Sequence, residues 1–173
     1  MTINTQSIKA NQAPELKEFR AEVAAWLAHN RPADPGFLLP QTFMEVGSEQ
    51  VLDFLREWQH KVWSSGYLGM AWPEKYGGRG MEPVFQSIAD QEMKRLRVPI
   101  CFNVIGLGWA GPLIMDIGSD YEKDKYLKGI LNAEDIWCQG FSEPNHGSDL
   151  GSIQTLSLIH ISEPTRPLYI SYA

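Results

Sequence analysis

The sequence predicts a mainly α fold, a helical domain followed by the first strand and loop of a β domain. Three observations predict it. Apolar residues recur at helical spacing in successive segments between Pro14 and Leu131. Capping and stop residues bracket those segments. One short uncharged aromatic run, Ile136–Ser142, reads as a buried strand, and a lone strand forms no sheet by itself.

The first helix is expected from about Pro14 to Ala28, with Leu16, Phe19, Val23, Trp26 and Leu27 on one face. Pro14 suits a first turn, because the N–H it lacks would be unpaired there. Arg31–Gln41 carries three prolines and a glycine and reads as a connection. A second helix is expected from Ser48 to Ser65. Its Val51, Leu55, Trp58 and Val62 repeat at helical spacing, and Gly66 is placed to close it in the left-handed conformation.

Tyr67–Gly80, with Pro73, Gly77, Gly78 and Gly80, reads as an ordered turn region. A third helix is expected from Glu82 to Leu96, with Val84, Ile88 and Leu96 inward. Its end carries Lys94, Arg95 and Arg97, which either complement the macrodipole or form an anion-binding patch. Val98–Ile117 reads as the most buried helical stretch, ended by Gly118. Ser119 and Glu122 form a capping box for a last helix to about Leu131.

The 173 residues suit one domain or slightly more, and they bury a core without staples. A net charge of −6 argues against nucleic acid or an anionic membrane as the main partner. Two distant cysteines, Cys101 and Cys138, make no disulfide framework and suggest a reduced, cytoplasmic setting. The residues from Met1 to Asn11 lack the hydrophobic segment of a secretory signal. The longest uncharged run, Val98–Met115, holds two prolines and three glycines, which fits a bent buried segment better than a membrane span.

Several chemistries lack their signatures. No dinucleotide-binding glycine motif, phosphate loop or zinc-protease motif occurs, and the four histidines show no ligand spacing. Cys138 reads as a small core residue of the strand. The informative stretch is Ser142-Glu143-Pro144-Asn145-His146-Gly147-Ser148-Asp149. It is either an ordinary turn after a strand or a loop that aims backbone N–H groups and two hydroxyls at one ligand.

Trp137-Cys138-Gln139-Gly140-Phe141-Ser142-Glu143-Pro144, followed by Gly147-Ser148-Asp149, resembles the first signature of the flavin-dependent acyl-CoA dehydrogenase family. Trp72–Gly80 resembles its proline and double-glycine turn. Gly111-Pro112, Gly118-Ser119 and Lys125-Tyr126-Leu127 resemble the helix pair before the signature. The resemblance runs over roughly residues 14 to 155. It implies an N-terminal helical domain, a middle β domain and a C-terminal helical bundle. It also implies α,β-dehydrogenation of an acyl-CoA thioester, with FAD as cofactor and an electron-transfer flavoprotein as acceptor, in a homo- or hetero-oligomer.

Carried over residue by residue, the resemblance implies that Gln139, Phe141, Ser142 and Ser148 bind the cofactor. Ser142 would lie beside the flavin ring, and Ser148 would reach the FAD pyrophosphate or the substrate. The family's catalytic base belongs to the C-terminal bundle, so the resemblance assigns none of this chain's residues to that role; Glu143 is a motif residue rather than the base. Asn145-His146 departs from the family's frequent Gly-Ala. Asn145 tolerates the same left-handed turn, and His146 either faces solvent or narrows the substrate path. If Val98–Met115 lines the acyl pocket, changing Gly106 or Gly111 to leucine should shift acyl-chain preference.

The expected organisation is 1–12 a flexible N-terminus, 13–133 the helical domain, 134–155 the start of a truncated β domain and 156–173 a tail without family pattern. That tail reads as sequencing-adapter read-through. The chain is then an N-terminal fragment, inactive by itself. Two other readings stand beside this one: a sibling acyl-CoA oxidase, and a flavin-free helical binding module.

Overall fold

The computed structural model describes residues 14–140 and 148. The chain divides into two compact units, Met1–Trp137 and Cys138–Ala173. Five α-helices build the described part of the first unit: α1 Pro14–Asn30, α2 Glu49–Ser64, α3 Pro83–Arg95, α4 Gly111–Ile117 and α5 Asp120–Asn132. Helix α1 packs on α3, while α2 and α4 pack on α5.

The helix ends follow their residues. Ser48 caps α2 by accepting the Val51 N–H at 3.3 Å. Ser119 Oγ accepts the Glu122 N–H at 3.3 Å, and the Glu122 carboxylate accepts the Ser119 N–H at 2.7 Å, the reciprocal box the sequence predicts. Gly66 closes α2 at φ 81, with its N–H on Trp63 O and the Tyr67 N–H on Val62 O.

Leu16, Phe19, Val23 and Leu27 of α1 are buried, as are Leu55, Trp58 and Val62 of α2 and Ile88 of α3. Each such side chain contributes about 1.5–3 kcal/mol through removal from water. Trp26 packs partly buried at the edge, its ring 4.9 Å from that of Tyr67. A polar clamp joins α1 to α3. Arg20 reaches Glu92 at 2.8 Å, Arg95 reaches the same carboxylate at 2.7 Å, and Glu92 is 2% exposed. Burial raises the Glu92 carboxyl pKa, but hydrogen bonds from Arg95 and Arg20 outweigh it and hold the group below the usual range.

Three expectations change. Val98–Asn103 is not helical; a helix starts at Val104, passes through a π turn at Gly106–Ala110 and continues as α4. Nor is this the most buried stretch, because Trp109, Leu113 and Ile117 form an exposed stripe. An uncharged run records a preference for burial, not the presence of a partner. Finally, Ile136–Gly140 forms no strand and Cys138 is exposed rather than a core residue. The Trp137 N–H is taken by Asn103 Oδ1 at 3.0 Å instead of by a ladder. The remainder of the expected strand lies outside the described residues. Among the described residues no helix is long and apolar enough to cross a membrane.

Candidate functional site

The first unit carries a mainly apolar cleft of about 1150 Å³. Its walls come from Leu39–Met44, the turn at Leu68–Trp72, the outer half of α3, the segment Arg97–Cys101 and the first turns after Val104.

Each wall has a local cause. The Trp58 indole N–H donates to Pro99 O at 2.7 Å and pins the segment after α3. Gln86 joins α3 to the turn: its oxygen accepts the Met70 N–H at 3.0 Å, and its amide donates to Tyr67 O at 3.3 Å and to Asp90 at 2.8 Å. In the next turn, Gly77 takes φ 89, and a Cβ on Gly78 would strike the Trp72 carbonyl. The double glycine therefore answers two separate demands, one conformational and one steric. The Trp63 indole N–H holds this turn through Gly77 O at 2.9 Å.

The electrostatics of the cleft are set by few groups. Asp90 is solvent-accessible yet lies inside the concave wall. Loss of hydration there raises its carboxyl pKa, and the Gln86 hydrogen bond offsets that only in part. The rise follows from partial loss of hydration, not full burial. The Cys101 thiol is pushed up to about 12, by loss of hydration and by the Asp90 charge. Both causes favour the neutral thiol of this half-buried cysteine. Lys94 and Arg97 also line the cleft.

Arg97 ends α3 at φ 51, with its N–H on Lys94 O and the Val98 N–H on Met93 O. This is the hydrogen-bonding pattern that Gly66 completes on α2. For arginine the left-handed backbone costs about 1 kcal/mol or more.

The residues implied for the cofactor belong to the second unit. Gln139 and Ser148 are exposed, with amide and hydroxyl groups suited to flavin carbonyls and phosphates. Phe141 and Ser142 lie outside the described residues, as do Glu143, Asn145, His146 and the tail 156–173.

The segment Val98–Met115 does reach the cleft, through Val98–Cys101, Val104, Leu107 and Gly108. Gly106 and Gly111 do not. A Cβ on Gly106 would meet the Asn103 amide at 2.6 Å, and one on Gly111 would strike the Trp72 ring. Gly108, which the sequence did not single out, lines the cleft and has open space around its Cβ position. Leu39–Met44 was also missed as a wall. It carries only a single 3₁₀ turn, Phe43–Glu45, too short to leave a periodic signal.

A family model described as the N-terminal domain of acyl-CoA dehydrogenase matches residues 13–134. The acyl-CoA dehydrogenase IpdE1 of Mycolicibacterium smegmatis is 34% identical over 142 residues, which is 82% of this chain and 36% of that protein. A solved structure titled "Tcur3481-Tcur3483 steroid ACAD" aligns with a TM-score of 0.62 at 33% identity, over 83% of this chain and 35% of the other. The ChsE4-ChsE5 complex from Mycobacterium tuberculosis aligns at 0.59 and 26% identity, over 90% and 35%. The chain thus spans about 36% of the length of a curated relative such as IpdE1.

Proposed function

The chain belongs to the acyl-CoA dehydrogenase family, and on that premise we propose that it forms the N-terminal helical part of an FAD-dependent α,β-dehydrogenase of acyl-CoA thioesters. The observation that carries the substrate side is the apolar cleft. At about 1150 Å³ it lies just above the usual span of small-molecule sites, which run to roughly 1,000 Å³. Such a volume accommodates a ring-bearing acyl group. The likeness to a structure titled as a steroid enzyme supports the same class.

The proposed roles follow from the residues. The cleft walls bind and orient the acyl group and exclude water from it. Gln139, Phe141, Ser142 and Ser148 are proposed to hold FAD, with Ser148 shared with the substrate. Bound there, FAD would supply the acceptor for hydride from the β-carbon. The group that removes the α-proton is proposed to lie in the part of the relatives that this chain does not span, so these residues alone would not turn over substrate. The domain limits 13–133 and 134–155 belong to the same proposal.

A hetero-oligomer is proposed by analogy with the complex above, with an electron-transfer flavoprotein as acceptor and the cytoplasm as setting. The test is to express the complete gene product, with its partner subunit if one copurifies, and to mix it with ring-bearing and straight-chain acyl-CoA esters. Flavin bleaching with the ring-bearing esters, at a kcat/KM at least about 10-fold higher, is expected. A colourless complete protein, or a preference for straight chains, would overturn the corresponding half of the proposal.

A further inference from the structure

Three cations stand at the end of α3, and the structure separates them. Arg95 is taken by the buried Glu92 carboxylate at 2.7 Å. Lys94 and Arg97 line the cleft and form no ion pair among the described residues. Asp90, on the same wall, accepts from Gln86 at 2.8 Å and is paired with neither cation. Two cations against one carboxylate leave this edge of an otherwise apolar cleft net positive.

Arg97 adds a second, independent argument. It occupies a left-handed position, φ 51, that Gly66 fills on α2. Capping α3 does not call for arginine, because glycine serves that position at lower cost. Ala133 takes the same left-handed backbone, φ 65, after α5, and what sets Arg97 apart is that it carries a charge at that position on a cleft wall.

We propose that Lys94 and Arg97 hold a carboxylate carried by the acyl group, so that the cleft selects ring-bearing acyl groups with a second acid function. The inference rests on the reading of the cleft as the acyl site. A coenzyme A phosphate offers the same anionic oxygens, so the test separates the two sources.

The complete gene product is titrated with a steroid carboxylic acid, with its methyl ester, and with coenzyme A alone. The wild type is expected to bind the acid about 10-fold tighter than the ester, as befits a charge-assisted contact. Arg97→Gly and Lys94→Met should each cut that preference to about 3-fold or less, weakening the acid more than the ester. Arg97→Gly should also raise the melting temperature by roughly 2–4 °C.

Equal binding of acid and ester by the wild type would overturn the proposal while the cleft reading stands. Binding of neither would overturn both. An acid preference kept in both variants would reduce Arg97 to a helix cap. Binding of coenzyme A that weakens in the variants would assign the edge to phosphate instead of the acyl carboxylate.

Discussion

Gln59 and Asn103 meet across the core, the side-chain oxygen of Gln59 accepting the Asn103 backbone N–H at 3.2 Å. Both are fully buried, and both lead to the same place. Gln59 donates to Ile130 O at 3.1 Å and Leu131 O at 3.3 Å, and Asn103 donates to Ile130 O at 3.0 Å and Asp135 O at 2.9 Å. The end of α5 and the chain leaving it are thereby tied to α2. Asn103→Leu strands buried polar groups of the backbone and should cost about 3 kcal/mol; Gln59→Leu should cost about 2 kcal/mol. The double variant should lose less than the sum, since the two side chains share Ile130 O. Urea unfolding of the four proteins measures this, and strict additivity would contradict a joined network.

The glycines of the π turn and α4 should separate cleanly. Gly108→Leu projects into the cleft and is expected to lower ring-bearing acyl-CoA turnover by the complete enzyme about 10-fold or more, with stability close to wild type. Gly106→Leu and Gly111→Leu meet Asn103 and Trp72 and should destabilise by about 2 kcal/mol or more. Kinetics across acyl groups, paired with melting curves, distinguish the two effects.

Acid should attack the clamp between α1 and α3. The folded pKa of Glu92 lies below its unfolded value. Its contribution is therefore complete at neutral pH and is lost as pH falls below the ordinary glutamate range, near 4.3, and through the lower folded pKa. Arg20→Gln should destabilise at pH 7 by about 2 kcal/mol, because Arg95 still covers one side of the carboxylate. The gap between variant and wild type should narrow by pH 3. A constant gap in urea midpoints over that range would remove Glu92 from the account.

One tyrosine should titrate late. Tyr67 is buried and donates to Glu22 at 2.7 Å; burial first, then that carboxylate, pushes its phenol up to about 12. The sign is opposite to that of Glu92. Stability from the protonated phenol is complete below the unfolded value near 10 and is lost as pH rises toward 12. Ultraviolet titration should show one phenol ionising about two units after the exposed ones, absent in Tyr67→Phe. Simultaneous ionisation of all the tyrosines would contradict the contact.

The helices were legible because their signals are local. The box at Ser119 and Glu122, the closing Gly66 and the face of α1 each lie within one or two turns of chain. The cleft was less legible because it is made between segments. The value of Gly108 depends on empty space, and that of Gly106 on an amide beside it. Arg97 was visible as a charge, but its left-handed backbone was not. The strand expected at Ile136 shows the limit from the other side. Composition gives a preference for a sheet, while a strand forms only where another backbone offers its hydrogen bonds.

The π turn at Gly106–Ala110 works as a phase shifter in the chain. Its Gly111 N–H reaches back to Gly106 O, so the loop of backbone holds one residue more than an α turn. One residue of α-helix is about 100° of rotation. Were the turn to relax to α geometry with every residue kept, the extra residue would swing everything after it around the axis by about that angle. Gly111 would then leave Trp72. The length of the turn, more than the identity of any one side chain in it, keeps the cleft side and the outer side of this helix in register.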